Sequence, residues 1–285
     1  MSPDLLKSVL LPLALIIIMF GMGMTLKVAD FTRVLFSPKA TLLGLGCQLL
    51  ALPLIAWGLA HLFQLPGDLA AGLMLLAACP GGPTSNIITH LSKGDTALSV
   101  TLTAIASVIT VFTIPLLVSF SMDHFMGAGQ AITLPFGKTF LQLMVVTLLP
   151  VGLGMWVHHA RPHLTQRLAG TVNALSVGFL ALIILAAVFS EKNLGAQIVA
   201  GGPAAVTLNL CGMLVGYALA TGFRLPQPQR VTLSIEVGIQ NGTLALAIAL
   251  GLLDSPRLAI PAVVYSLFMF LSGTFMILRF SRRRA

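Results

Sequence analysis

Long apolar runs separated by short polar connections dominate the chain. Each run has about 20 residues, the length that a helix needs to cross roughly 30 Å of hydrocarbon, and such runs recur through nearly the whole sequence. We therefore predict an all-α polytopic membrane protein in which residues 1–285 form a single transmembrane domain. Nine spans are expected, at approximately Leu5–Met24, Lys39–Phe63, Gly67–Leu91, Asp95–Phe120, Pro135–His158, Leu168–Ser190, Val199–Gly222, Gln229–Leu253 and Arg257–Arg279.

The third and eighth spans differ from ordinary spanning helices because helix breakers and amides occupy their middles. The third, about 67–91, contains Cys79-Pro80-Gly81-Gly82-Pro83-Thr84-Ser85-Asn86, and the eighth, about 229–253, contains Glu236-Val237-Gly238-Ile239-Gln240-Asn241-Gly242. The two are offset by five spans, and since five is odd, the second copy enters the membrane in the opposite direction. This pattern predicts an inverted repeat that relates residues 5–120 to residues 168–279, with ends known only approximately.

Composition and charge support the membrane interpretation. Apolar residues make up 57% of the chain and charged residues 8%, with a mean hydropathy of +0.98, whereas a soluble domain carries about a quarter charged residues. These values exclude a water-soluble globule. The formal charge of +8 comes from basic residues that lie singly or in small groups between apolar runs, which is typical of membrane topology rather than of nucleic-acid binding.

Lysine and arginine are divided unequally between the two sides of the predicted spans. One side carries Lys27, Arg33, Lys39, Lys93, Arg161, Arg167, Arg224, Arg230, Arg279, Arg282, Arg283 and Arg284, and the other carries Lys7, Lys138, Lys192 and Arg257. The positive-inside rule therefore places the N-terminus outside and the C-terminal tail in the cytoplasm. The first span has no A-x-A cleavage pattern, so we expect it to be retained rather than removed as a signal peptide.

Glu236 is the acidic residue that falls in the middle of a predicted span. The other seven lie at or near span ends, where water or headgroups can solvate them. An ionised carboxylate inside a membrane costs several kcal/mol unless it meets a cation or lines a wet cavity, so Glu236 is a functional candidate. The alternative is a neutral Glu236 that hydrogen-bonds a neighbouring helix. The nearby glycines and amides favour an unwound backbone whose free carbonyls, with the carboxylate, suit a hard cation.

The Pro80 to Asn86 segment supplies the other half of such a site. Its prolines break the helix and its glycines allow close chain approach, and broken helices near the bilayer midplane are where secondary transporters bind ions and substrate. A kinked helix packing on small residues is the alternative. Polar residues of other spans can project into the same interior, although interhelical hydrogen bonding would explain each one alone: Gln48, Ser99, Thr103 and Asn209.

Other candidate features receive simpler interpretations. Cys47, Cys79 and Cys211 lie in apolar segments without C-x-x-C spacing, so we expect neither a disulfide nor a structural metal. The histidine-rich stretch 158–163 has no acidic or cysteine ligands near it, which favours an interfacial basic anchor over a metal site. A second Gly-Gly-Pro, at 201–203, is interpreted as an ordinary helix start.

The motifs around both interruptions resemble the bile acid:sodium symporter family. The resemblance rests on Met19 to Leu26, on Cys-Pro-Gly-Gly-x-x-Ser-Asn at 79–86 followed by Ala97-Leu98-Ser99, and on Glu-Val-Gly-x-Gln-Asn at 236–241, and it covers nearly the whole chain. It implies a panel domain beside a core domain, an inverted repeat, and two crossing discontinuous helices. Some bacterial members have ten spans, and this chain resembles a form that lacks the first.

The resemblance also implies two sodium sites that share Glu236. The first would use Ser85, Asn86, Ser99, Thr103 and Glu236; the second would use Gln48, Glu236, Gln240 and the backbone carbonyls of Val237 and Ile239. Substrate is expected near Pro83, Thr84, Asn209, Asn241 and Gly242. Pro83-Thr84 stands where the family has a small polar residue followed by alanine, so bile acid does not follow as the natural substrate.

The expected function is sodium-coupled import of a small organic anion, bile-acid-like or a small carboxylate such as pantoate, by alternating access in a bacterial inner membrane. A proton-coupled or exporting transporter of related fold is the alternative. An enzyme is disfavoured because the spans carry no nucleophile and base pair or metal-ligand set, and a channel because broken helices suit a site that binds and releases. No cofactor is expected beyond Na⁺ as coupling ion, and no protein partner is required.

Overall fold

The computed structural model describes residues 11–127, 140–165 except 143, residues 167, 168, 170, 171, 174, 175, 178, 179, 181 and 185, and residues 193–281. Most of the span predicted at Leu168–Ser190 therefore lies outside the described residues. The same holds for the start of the first span, for residues 135–139 of the fifth, and for the arginine tail at 282–284. The count of nine spans stays a prediction.

Within the described residues the protein is helical, with no β-strand. The principal helices are α1 (Leu11–Gly23), α2 (Val28–Thr32), α3 (Pro38–Leu62), α4 (Gly67–Ala78), α5 (Pro83–Leu91), α6 (Thr96–Met126), α7 (Phe140–Ala160), α8 (Leu194–Gly222), α9 (Gln227–Gly238), α10 (Gly242–Leu252) and α11 (Pro256–Ser281). Five of them, α3, α6, α7, α8 and α11, are long and apolar enough to cross a membrane. The predicted all-α polytopic class is confirmed.

Two features of the helices differ from the prediction, one at the start of α8 and one inside α3. α8 begins at Leu194, so Pro203 lies inside a helix and the interpretation of 201–203 as a helix start is wrong. A spanning helix tolerates an internal proline because neighbouring groups can satisfy the freed carbonyl. In α3, residues Cys47–Ala51 form a π-helical turn, a feature often found at functional sites.

Helix packing brings distant parts of the chain into contact. α8 packs against α9 and α11, and α4 packs against α6 and α11, while α1 packs mainly against α7. Gly23 and Gly154 permit the α1–α7 contact, because a Cβ on either would meet the backbone of the opposite helix. The three cysteines are free thiols.

The two interruptions meet each other. The break between α4 and α5 and the break between α9 and α10 are joined where the Asn241 amide donates to the Pro80 carbonyl at 2.8 Å, and Gly81 and Gln240 form an antiparallel bridge. Backbone N–H and C=O groups that have no helical partner at one break thus hydrogen-bond to those at the other break. Four helix ends converge on one buried point, which we call the crossover.

Candidate functional site

Glu236 lies fully buried near the end of α9, beside the crossover. Its Oε1 accepts from Ser85 Oγ at 2.6 Å and from Ser99 Oγ at 2.5 Å. Its Oε2 accepts from Thr103 Oγ1 at 3.0 Å and more weakly from Gln48 Nε2 at 3.5 Å. The carboxylate is therefore held by neutral side chains from α3, α5 and α6.

Asn86 joins the same cluster through its side-chain oxygen. Asn86 Oδ1 accepts from Ser99 Oγ at 2.7 Å and from Thr103 Oγ1 at 3.4 Å. Ser99 and Thr103 are one turn apart on α6, so both hydroxyls face the first turn of α5. The structure thus brings together all five residues predicted for the first sodium site, and we call them the carboxylate cluster: Ser85, Asn86, Ser99, Thr103 and Glu236.

The residues predicted for the second sodium site also lie together, around the last turn of α9. Gln48, on the π-helical turn of α3, donates from Nε2 to the Glu236 carbonyl at 2.8 Å. Gln240 donates from Nε2 to the Val237 carbonyl at 2.9 Å, and Ile239 follows with extended backbone. Oε1 of Gln48 and of Gln240 are buried and make no hydrogen bond within the described residues.

A cavity of about 670 Å³ opens beside the crossover, between α1 and the interrupted helices. Four of the five predicted substrate residues line it: Pro83, Thr84, Asn241 and Gly242. The rest of the wall is largely apolar, with residues such as Ile18, Met22 and Phe270. No Lys, Arg or His is among its lining residues in the described part of the chain.

Asn209, the fifth predicted substrate residue, lies elsewhere. It is fully buried in α8 and donates from Nδ2 to the Gly238 carbonyl at 2.5 Å. Tyr265 of α11 donates to the same carbonyl at 2.7 Å. Both side chains therefore hydrogen-bond the last residue of α9 without lining the cavity. The sequence reading missed Tyr265, although a tyrosine in an apolar span signals a hydroxyl that needs a partner.

Comparison with known proteins identifies the family. A family model described as Sodium Bile acid symporter family matches residues 12–198, more than half of the chain. The chain belongs to the sodium bile acid symporter family. Its predicted resemblance is confirmed, and membership makes it a multi-pass membrane transporter rather than an enzyme.

Several known transporters align with most of the chain. It is 31% identical to the uncharacterized sodium-dependent transporter YocS of Bacillus subtilis (strain 168), over 94% of this chain and 81% of that protein. It is 33% identical to the probable chloroplastic sodium/metabolite cotransporter BASS1 of Arabidopsis thaliana, over 88% of this chain and 62% of that one. It is 32% identical to sodium/bile acid cotransporter 4 of Mus musculus, over 82% and 54%. The chain therefore spans about half to four-fifths of these relatives.

Proposed function

We propose that this member of the sodium bile acid symporter family imports an organic anion together with Na⁺ by alternating access, with Glu236 as a ligand shared by two Na⁺. The observation that carries the proposal is the surroundings of Glu236, a fully buried carboxylate whose described hydrogen-bond partners are all neutral. A buried charge needs a counter-charge. A coupling cation supplies one.

The carboxylate cluster holds more acceptor oxygens than hydrogens. Ser99 has one hydroxyl hydrogen but lies within 2.7 Å of both Asn86 Oδ1 and Glu236 Oε1. Ser85 has one hydrogen and lies near both Glu236 Oε1, at 2.6 Å, and the Gly82 carbonyl, at 2.8 Å. Oxygen lone pairs that receive no hydrogen bond can instead coordinate a hard cation, so this excess of lone pairs suits Na⁺. We assign the first Na⁺ to this cluster.

The second Na⁺ is assigned to the last turn of α9. Gln48 Nε2 lies 2.8 Å and Gln240 Nε2 lies 3.3 Å from the Glu236 carbonyl, and each amide leaves its own oxygen without a hydrogen bond within the described residues. Turning each amide by half a rotation replaces two donors by two acceptors at nearly the same positions. Together with the Glu236 carboxylate and the backbone carbonyls of Val237 and Ile239, they would form an oxygen-lined cation site.

Charge balance favours this occupancy. Two Na⁺, the Glu236 carboxylate and a monoanionic substrate sum to zero, which leaves no net charge buried in the low-dielectric interior. With either cation missing, the loaded site would carry a net negative charge. Net transport can still move charge, because the empty carrier also crosses between states.

The cavity supports an organic anion with an apolar body as substrate. Its volume of about 670 Å³ lies within the usual range for ligand sites, about 300–1,000 Å³. Its polar end is formed by Thr84, Asn241 and the first turns of α5 and α10, where helix N-termini favour negative charge. We place the carboxylate there and the apolar body along the α1 wall. Asn209 would act on the site through the Gly238 carbonyl.

Binding of Na⁺ and of the anion should be reciprocally coupled. Asn86 and Gln240, both proposed as sodium ligands, line the cavity beside Pro83 and Thr84, so ordering by one ligand would also order the groups that bind the other. The typical coupling of about 1–3 kcal/mol corresponds to roughly 5–150-fold in affinity.

Calorimetric titration with taurocholate and with pantoate, in sodium and in choline chloride, should show tighter binding in sodium for an accepted substrate.

Linkage requires the same factor when Na⁺ is titrated with and without that substrate. Equal substrate affinity in sodium and choline would refute the shared binding scaffold. Uptake that persists in choline and follows an imposed proton gradient would favour the proton-coupled alternative, in which the hydrogen on Glu236 takes the place of the cation.

The proposed location is a bacterial inner membrane, with the N-terminus outside and the C-terminus in the cytoplasm. A reporter active only in the cytoplasm, fused to Ala285, should give signal, and a reporter active only outside should not. The positive-inside distribution of the basic residues is the physical reason. Silence of the first reporter in a well-expressed fusion, with activity of the second, would reverse the topology.

A further inference from the structure

Two histidines from distant parts of the chain meet outside the crossover. His61 lies at the end of α3 and His124 near the end of α6, 63 residues later. Their Nε2 atoms are 3.2 Å apart, and both side chains are exposed. Six histidines occur in the sequence, and nothing in their spacing pairs these two.

The hydrogen-bonding of His61 fixes which of its ring nitrogens is free. His61 Nδ1 lies 2.9 Å from the Trp57 carbonyl oxygen, one turn earlier on α3. A carbonyl can only accept, so the hydrogen must be on Nδ1. Neutral His61 therefore presents the lone pair of Nε2 toward His124. Metal-ligating histidines are usually oriented in this way, with the second ring nitrogen donating to a backbone carbonyl.

Aromatic rings restrict the orientation of both imidazoles. The His61 ring centroid lies 4.3 Å from that of Trp57 and 5.1 Å from that of Phe125. His124 stacks on Phe120 at 5.8 Å with an interplanar angle of 12°, and meets Phe125 edge-on at 4.8 Å. The two nitrogens are thus held close by packing, so that little side-chain entropy remains to be lost when a ligand binds.

The distance between the nitrogens matches a shared metal ion. Metal–nitrogen bonds of about 2.0–2.1 Å at a tetrahedral angle separate two imidazole nitrogens by about 3.3 Å. Imidazole is a ligand suited to Zn²⁺, Cu²⁺ and Ni²⁺. The described residues contain no group of three or more His, Cys, Asp or Glu side chains that could hold a metal, and at this exposed position water can complete the coordination.

We propose that His61 and His124 bind one divalent transition-metal ion, Zn²⁺ or Cu²⁺, joining the ends of α3 and α6. His124 would coordinate through Nε2, with its hydrogen on Nδ1. The site is distinct from the crossover in chemistry, because imidazole nitrogens are poor ligands for Na⁺. On the predicted topology, this end of α3 and α6 faces the outside of the cell.

Copper(II) provides the most direct test. One equivalent of Cu²⁺ added to purified, tag-free protein should give an electron paramagnetic resonance spectrum with two equatorial nitrogen ligands. His61→Ala and His124→Ala should each reduce the coupling to one nitrogen, and the double variant should abolish it. Zinc competition against a chromophoric chelator should show at least tenfold weaker binding in either single variant.

His159→Ala is the matched control, because His159 is exposed on α7 and outside the pair. It should leave both the two-nitrogen spectrum and the zinc affinity unchanged. A two-nitrogen spectrum that survives in both pair variants would overturn the proposal, and so would zinc binding no tighter in the natural sequence than in the double variant. The latter result would reduce the contact to a hydrogen bond between imidazoles.

Discussion

Replacing Glu236 by glutamine is expected to reduce sodium-dependent uptake to background while leaving the protein folded. Glutamine keeps the length of the side chain but removes the charge that both proposed cations share. The new amide also brings hydrogens into a cluster in which Ser85 and Ser99 already donate. Both sodium ions would then lose their common anionic ligand, and the loaded site its charge balance.

Folding should survive this substitution for an electrostatic reason. The carboxylate is fully buried among neutral partners, so in sodium-free buffer its replacement removes an uncompensated charge from a low-dielectric site. We expect a melting temperature in choline chloride at or above that of the natural sequence. The rise in melting temperature on adding sodium should disappear, because a ligand stabilises the folded state only when it binds.

Asp30→Asn is the matched control for Glu236→Gln. It makes the same chemical change at a carboxylate outside the carboxylate cluster, one that accepts from the Lys27 amide at 2.7 Å. Uptake and sodium-dependent stabilisation should be retained. Glu236→Gln protein that takes up substrate with undiminished sodium dependence would remove the centre of the proposed mechanism.

Replacing Gly81 by alanine should weaken sodium binding through steric conflict alone. A Cβ at Gly81 would lie 2.9 Å from Glu236 Oε2, 3.3 Å from Ser85 Oγ and 3.4 Å from Thr103 Oγ1, so a methyl group would point into the carboxylate cluster. Overpacking a filled site typically costs about 1–3 kcal/mol. If that cost falls on the sodium-bound state, the half-saturating sodium concentration should rise roughly 5- to 150-fold.

Gly82→Ala offers a control one residue away. Its added Cβ would lie 3.6 Å from the nearest atoms of Asn241, an ordinary van der Waals contact. Both variants keep the backbone amide, so both preserve the hydrogen bonding at the crossover. Sodium-dependent thermal stabilisation should be near normal in Gly82→Ala and strongly reduced in Gly81→Ala. Equal sodium affinity in the two variants would contradict the placement of the first ion.

The residues of the carboxylate cluster could be named from the sequence because their chemistry is unusual where they occur. A carboxylate and a run of amides, glycines and prolines inside apolar spans have a high cost in a membrane, so each one is a strong signal. Helical spacing placed Ser99 and Thr103 on one face of a span, and the family resemblance implied their place in a sodium site. The family resemblance then joined residues that lie as far apart in sequence as Gln48 and Glu236.

Other features gave no such signal. A proline such as Pro203 is compatible with a helix start or with a position inside a spanning helix, and the structure places it inside α8. The π-helical turn at Cys47–Ala51 has no motif of its own, and only the structure showed it. Tyr265 stands in an apolar span without a motif, and its role became visible only where its hydroxyl meets the Gly238 carbonyl.

The sequence by itself determined that the protein lies in a membrane, that its fold is helical, and which segments carry the candidate site. Hydropathy requires a membrane, backbone hydrogen-bonding requires helices there, and the cost of burying charge marks Glu236. The tertiary structure decided which polar residues line the cavity, as Thr84 does, and which contact only the backbone beside it, as Asn209 does. It also placed His61 against His124. These pairings depend on how the helices are rotated and how closely they approach one another. Small differences in packing energy across the whole chain control that arrangement, and no local sequence pattern contains them.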